Sequence, residues 1–243
     1  RYFGDTMYDL LLRQAIYQWK MNGRDSKEVQ CVVYDDYEKL LAQYKAVNNR
    51  EAELLTRLER LDGWLHRGWK YPQQVSDTQA VECWKAWAET YAGLDACAAV
   101  YICWADFYHQ KQDYVSEMKV IEEGLKRYPK SEFAADLKDK QRIVCMPSLS
   151  VQVTRPYPQA ETELRVVSKN LKGATLEWYK LNLKASSSVF ANSVDHAALI
   201  KKYGKLVDKV RLDLPDTPDY KDSVSVLTRR MPEAGIYVGS RWL

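Results

Sequence analysis

The sequence has few of the residues that carry catalytic or metal chemistry. Only three histidines occur in 243 residues, and His66, His109 and His196 lie far apart, without metal-ligand spacing. The ten glycines are isolated, so no phosphate-binding loop is indicated. Neither a G-x-S-x-G elbow nor a cysteine–histidine motif assigns a nucleophile. We therefore expect a protein that is not an enzyme and that holds no metal or cofactor.

Cysteines are few, and long apolar runs are missing. The five cysteines are odd in number, show no C-x-x-C spacing and all precede residue 146, so no disulfide framework is expected and a single bridge stays open. No run of about 18 apolar residues exists, which predicts no membrane-spanning segment in this sequence. No signal-peptide pattern is visible either, and we expect any export signal to lie outside the sequence.

Positive charge is not concentrated anywhere. Residues 1–146 carry 21 basic and 23 acidic side chains, and residues 147–243 carry 15 and 10, which gives −2 and +5 and the total of +3. Neither part has the basic stripe that a phosphate backbone requires. A nucleic-acid partner is therefore not expected.

The periodicity of apolar residues changes near Met146–Pro147. Before this point apolar residues recur every three to four positions, which is typical of helices, and after it they recur every second position, which is typical of strands. The change predicts a multidomain α plus β protein, with a helical domain at 1–146 and a β-sandwich at 147–243. For the first helix, the pattern predicts a buried face made of Tyr8, Leu11, Leu12, Ala15, Ile16 and Trp19.

Residues 101–129 are the most specific part of the helical half. Large aromatic residues, the small Ala105 and Gly124, and a closing Tyr128-Pro129 resemble one tetratricopeptide repeat, although Glu117 stands where that family usually has alanine. Small residues would let the two helices approach closely. The resemblance implies an all-α, tetratricopeptide-like array, because single repeats cannot bury their own faces.

Upstream, two helix starts can be predicted from capping residues. Asp25 with Glu28 resembles a capping box, and Asp77 or Thr78 predicts the start of a later helix.

The second half reads as six or so short strands, which favours an immunoglobulin-like sandwich over a barrel. In the third predicted strand, the alternation of inward-pointing residues shifts by one position at Trp178–Tyr179, which predicts a β-bulge. A helical insertion is predicted near 190–204, and a late strand is predicted to point Val224 and Val226 inward.

Tryptophans are the strongest candidates for a binding surface. Trp84 and Trp104 are in register with the apolar stripe and are predicted to be core. The pattern does not decide whether Trp69 and Trp87 are buried. Tryptophan can stack on sugars or anchor peptides. If an aromatic residue contacts a ligand or partner, we expect it to be Trp69 or Trp87.

Several short motifs, in this order, resemble the N-terminal region of bacterial alpha-2-macroglobulin-like proteins of Bacteroides-type envelopes. They are DTMYDLL at 5–11, YEKLL at 37–41, ELLTRLERL at 53–61, PSLSV at 147–151, NLK at 170–172, LEWYKL at 176–181 and MPEAGIYV at 231–238. The resemblance implies a macroglobulin-like sandwich after the helices, in a protein of the periplasm or cell envelope.

The family also implies a function. Its members are exported, membrane-anchored proteins that trap proteases through a bait segment and a Cys-x-Glu-Gln thioester. No cysteine of this sequence begins that motif, so the resemblance implies an N-terminal scaffold whose reactive centre lies elsewhere. It further implies a protein or protease partner, and a lipid anchor in an N-terminal part outside this sequence.

Two other functions stay open. The chain is alternatively an envelope module that binds glycans or peptides, which requires Trp69 and Trp87 to share an exposed face. It is alternatively part of a polysaccharide lyase, which requires a tyrosine or histidine base beside an arginine in one groove.

Overall fold

The computed structural model describes residues 3–4, 6–22, 26–66, 69–72, 74–154, 161–182, 196–230 and 236–242. The chain divides into two compact units, Arg1–Val144 and Cys145–Leu243. The first is helical and the second contains two antiparallel sheets, so the protein is of mixed α plus β class. The boundary lies two residues before the one that the change of periodicity predicts.

Most helices of the first unit pack on helices that are close to them in the chain. The helices are α1 (Met7–Asn22), α2 (Lys27–Ala46), α3 (Arg50–His66), α4 (Asp77–Thr90), α5 (Ala98–Gln110), α6 (Tyr114–Arg127) and α7 (Ala134–Cys145), with a short 3₁₀ turn at Asp95–Cys97. In this unit α1 contacts α2, α2 contacts α3, α3 contacts both α4 and α5, α4 contacts α5, and α5 contacts α6.

Serine residues begin two of these helices. Ser26 accepts a hydrogen bond from the backbone N–H of Val29 at the start of α2, and Ser76 forms a full capping box with Gln79 at the start of α4. The predicted caps at Asp77 or Thr78 are therefore wrong by one or two residues. Asp25 lies outside the described residues.

The close approach of α5 and α6 depends on a glycine, as the sequence predicts. A Cβ atom added at Gly124 would lie 2.8 Å from Cβ of Tyr101 and 3.0 Å from Leu137 Cδ1. Tyr101 and Ala105 are completely buried. No larger residue fits at position 124 without moving one of these helices.

Helix α1 is rotated about its axis by roughly a quarter turn from the predicted orientation. Tyr8, Leu11 and Trp19 are exposed by 51, 62 and 42%, whereas Asp9 and Lys20, which lie on either side of Ile16 on the helix surface, are buried. Of the predicted stripe, Ile16 is buried and Leu12 packs at the edge of the core. The prediction fails because an ion-pair network with α3, described below, draws the polar side of α1 inward.

The second unit contains two three-stranded antiparallel sheets, in the orders β1-β2-β5 and β4-β3-β6. The strands are β1 (Ser148–Thr154), β2 (Glu161–Lys169), β3 (Gly173–Leu181), β4 (Gly204–Asp213), β5 (Ser223–Arg230) and β6 (Tyr237–Trp242). Helix α8 (His196–Tyr203) precedes β4, within the predicted insertion. Apolar side chains of both sheets form one cluster: Leu149, Val166, Ala174, Leu176, Leu212 and Leu214.

The register of the strands confirms one prediction and corrects another. The pairing of β3 with β4 shifts between Trp178 and Tyr179, where the bulge is predicted. In β5, however, Val224 and Val226 are exposed by 48 and 57%, and Leu227 packs against the apolar cluster instead. The pairing of β5 with β2 determines which alternate residues of β5 face the core, and its two valines are not among them.

Among the helices in the described part of the chain, none is both long and apolar enough to cross a membrane.

Candidate functional site

An open groove of about 410 Å³ runs along one side of α4. Five of its lining residues are spaced three, four, seven and eight positions apart, which places them on one face of α4: Gln79, Glu82, Cys83, Ala86 and Trp87. Gln74 and Val75 line the groove from the segment before this helix. Because the Ser76 capping box fixes the first turn of α4, the groove has a rigid wall.

The groove combines an apolar wall with polar groups at its edge. Trp87 is half-buried, and Val75 packs against the apolar core of the first unit. Burial raises the pKa of Cys83, and the neighbouring Glu82 adds to the shift, so this thiol stays protonated at neutral pH. The site is therefore suited to binding and offers no activated nucleophile.

Trp69 does not share this groove. Its side chain is only 4% exposed and packs edge to face on Trp64, with ring centroids 6.3 Å apart. A Cβ atom added at Gly63 would lie 2.4 Å from two of its ring carbons, so the indole occupies space that only glycine leaves free. Of the two predicted contact residues, the structure places only Trp87 on a groove.

A second, smaller cavity of about 200 Å³ lies between α3 and α5. Leucine side chains and Trp84 line it together with the carboxylates of Asp62 and Asp106. Burial, then Asp106 and Asp62, raise the pKa of Cys103 to about 12. Lys140 of α7 forms an ion pair with Asp106, so a cationic group already neutralises part of this site.

A buried carboxylate, which sequence reasoning noted only as an anomaly, lies between α5 and α6. Glu117 is 2% exposed, and its two oxygens lie 3.1 and 3.0 Å from Nδ1 of His109. Burial raises the pKa of Glu117, and the hydrogen bond from His109 opposes the shift. The imidazole of His109 is thus the hydrogen-bond partner of this buried carboxyl group. The side chains of the other two histidines, His66 and His196, lie outside the described residues.

An ionic network beneath α1 is the largest polar cluster that sequence reasoning missed. Arg13 Nη2 donates to Thr56 Oγ1 at 2.8 Å, and Arg13 Nη1 lies 3.4 Å from Glu59 Oε2. Lys20 Nζ lies 2.7 Å from Glu59 Oε1, and the hydroxyl of Tyr37 donates to the same oxygen at 2.9 Å. Desolvation opposes ionisation of Glu59, but Lys20, Tyr37 and Arg13 together lower its pKa below 4.5.

The same network contains a tyrosine beside an arginine. Nε and Nη2 of Arg13 donate to the hydroxyl oxygen of Tyr44 at 3.1 and 3.0 Å, and the Tyr44 hydroxyl in turn donates to Asp9. Burial, together with the bond to Asp9, raises the pKa of Tyr44 to about 12. Because Tyr44 is only 1% exposed, a polysaccharide cannot reach it as it would reach the base of a lyase.

The described residues contain no group of three histidine, cysteine, aspartate or glutamate side chains that could hold a metal ion. Comparison of the chain with protein-family models, curated proteins and solved structures gives no match. The proposals below therefore depend on the geometry and on the motif resemblance alone.

Proposed function

We propose that this chain is a non-catalytic scaffold and interaction module from the N-terminal region of an exported macroglobulin-like protein. In this proposal the whole protein traps proteases in the periplasm or cell envelope, and its reactive centre lies outside this sequence. The helical unit is a tetratricopeptide-like array, and the second unit is a macroglobulin-like sandwich. A protease or another protein is the proposed partner.

The order of helix contacts is the observation that supports this proposal most. From α1 to α6, helices that follow one another in the chain pack on one another, and α3 also contacts α5, as expected for stacked helical pairs. The shared apolar cluster of the two sheets likewise suits a sandwich. Burial keeps the thiols of Cys83 and Cys103 protonated at the two cavities, and Lys140 forms an ion pair with Asp106, which suits a scaffold better than a catalyst.

The proposal is tested on the full-length protein that carries this chain. After exposure to trypsin, it should retain the protease in a form that cleaves small peptide substrates but not large protein substrates. Removal of the helical unit should leave this retention in place, because a spacer or docking unit holds no reactive group. If the intact protein gives trypsin no such size selectivity, the macroglobulin assignment is wrong.

The α4 groove favours a second candidate function, the binding of an extended peptide or a glycan. Trp87 supplies a half-exposed apolar surface beside the amide and carboxylate groups of Gln79 and Glu82, a combination that fixes a polar chain by stacking and hydrogen bonds.

Calorimetric titration of the 243-residue chain with peptide and glycan panels tests this second function. Trp87→Ala should abolish any binding that is found. Trp19→Ala is the matched control, because this exposed tryptophan lies on α1 outside the groove. Equal loss of binding in both variants would exclude the α4 groove as the binding site.

A further inference from the structure

The outward face of α1 carries large apolar residues from its first turn to its last. Met7, Leu10 and Leu11 are exposed by 68, 62 and 62%, and Tyr17 and Met21 are each exposed by 56%. Single exposed apolar residues are common on protein surfaces, but several large ones along one side of a helix mark an interaction site. The described part of the chain supplies nothing that covers this row.

The spacing of these residues is that of a helix that packs on another helix. Met7, Leu10, Gln14, Tyr17 and Met21 follow one another at alternating intervals of three and four residues, which is the spacing of positions a and d in a coiled coil. We call these five residues the α1 seam. The partner that fits the α1 seam is therefore another amphipathic helix.

The α1 seam is arranged evenly about Gln14. One apolar residue stands three or four positions away on each side of Gln14, and one methionine stands seven positions away on each side. Two copies can pair their whole seams with the helices parallel or antiparallel. In both arrangements the two-fold axis of the pair passes near residue 14. A single polar residue at such a position fixes the register of a helix pair, because it hydrogen-bonds its own counterpart.

The polar side of α1 prevents the helix from rotating to bury the α1 seam within its own unit. Lys20 and Arg13 are tied to Glu59 of α3, and Asp9 is tied to Tyr44 of α2. Rotation of α1 about its axis would break these contacts and leave buried charges without partners.

The area of the apolar face fits a dimer. The exposed apolar side chains of this face are Met7, Leu10, Leu11, Tyr17 and Met21, and they are about three-fifths exposed on average. Covering them removes roughly 500 Å² of accessible surface per copy. The total for two copies is about 1,000 Å², which is at the lower end for a specific interface. We propose that the protein forms a two-fold symmetric dimer in which the α1 seams of two copies pack on each other. This inference is independent of the proposed function, since it concerns only the self-association of this chain.

Sedimentation equilibrium of the whole chain over about a hundredfold range of concentration tests the dimer. The wild-type protein should move from monomer to dimer, and Leu10→Glu should raise the dissociation constant by about tenfold or more. Ile143→Glu is the matched control, because Ile143 is a helical residue of similar exposure on α7. It should dimerise like the wild-type protein.

Gln14 permits a test that is specific to self-pairing. Gln14→Glu and Gln14→Lys should each weaken the dimer, because like charges meet at the axis, and an equimolar mixture of the two should restore it as a heterodimer. Circular dichroism of each variant confirms that the helices are retained.

Three outcomes would overturn the inference: a wild-type protein that is monomeric throughout, dimers that are indifferent to the three seam variants, or a mixture that fails to recover. Binding of monomers to vesicles of anionic phospholipid, lost in Leu10→Glu, would assign the α1 seam to a lipid surface instead.

Discussion

Gly63→Ala should destabilise the helical unit, because it fills the space that the indole of Trp69 occupies. The added methyl carbon would lie 2.4 Å from both Cε3 and Cζ3 of Trp69 and 2.9 Å from Cδ2. Carbon atoms in contact are normally about 3.5–4.0 Å apart, so the ring has to move by roughly 1 Å or more. Trp64 on one side and the ammonium of Lys20, 5.8 Å from the ring centroid, leave it little room.

The magnitude follows from two opposing contributions. Forced repacking of a filled core costs about 1–3 kcal/mol, and complete loss of a buried tryptophan costs about 3–5 kcal/mol. Alanine in place of glycine within a helix returns about 1 kcal/mol. The net loss therefore lies between zero and about 4 kcal/mol, and we expect Gly63→Ala to lower the free energy of unfolding by about 2 kcal/mol.

Urea unfolding, followed by far-ultraviolet circular dichroism and by tryptophan fluorescence, measures this loss. Gly93→Ala is the control, because a Cβ atom at Gly93 meets no atom within 4 Å, and it should change stability by no more than about 0.5 kcal/mol. In a Trp69→Leu background the same Gly63→Ala change should cost less, since the smaller side chain relieves the collision. An equal cost in both backgrounds would refute the reasoning.

Three further predictions concern buried positions of the helical unit. Gly124→Ala should destabilise it by about 1–2 kcal/mol in urea unfolding, because the new methyl group meets Cβ of Tyr101 and not a flexible chain end; a stability equal to that of the wild-type protein would contradict this geometry. The pKa of Glu117 is raised in the folded state, so its contribution to stability is present below its ordinary pKa of 4.5 and is lost as the pH rises through the folded value. Glu117→Gln should therefore gain stability relative to the wild-type protein as the pH increases above 4.5, and a constant difference between the two thermal midpoints would exclude the effect. The pKa of Glu59 is lowered, so its contribution is present above 4.5 and is lost as the pH falls through the lower folded value; the deficit of Glu59→Gln should accordingly shrink in acid, and a deficit that grows there would reverse the assigned sign.

Features that depend on local sequence could be predicted. The domain boundary follows from a change of period, and the bulge at Trp178–Tyr179 follows from a slip of phase within one strand. The close packing at Gly124 follows from residue size alone. For the boundary and the bulge the cause lies within a few residues of the effect, and at position 124 the missing side chain indicates a close approach whichever residue lies opposite.

Features that depend on a distant partner could not be predicted. In β5, the valines are the most apolar residues, yet Leu227 opposite Leu164 and Ser225 opposite Val166 point inward. The phase is set by β2, whose own apolar residues already fill that part of the core. Two further features could not be predicted although their residues are near in sequence, because they depend on how the chain folds back. Gln74 and Val75 of the segment before α4 line the groove at Trp87, and the indole of Trp69 fills the space left by the missing side chain of Gly63.

The orientation of α1 shows why periodicity alone cannot decide which side of a helix is buried. Covering roughly 500 Å² of apolar surface is worth about 12 kcal/mol before other costs, at ~25 cal/mol per Å², which exceeds what a partly buried ionic network contributes. That gain requires an apolar surface to receive the seam, and the surface beneath α1 presents Thr56, Glu59 and the hydroxyl of Tyr44 instead. Turning α1 inward would therefore place leucine against unsatisfied polar groups. The described residues of this unit leave the α1 seam exposed, so the proposed source of the apolar gain is a surface other than theirs, and an identical α1 seam matches it in chemistry and spacing.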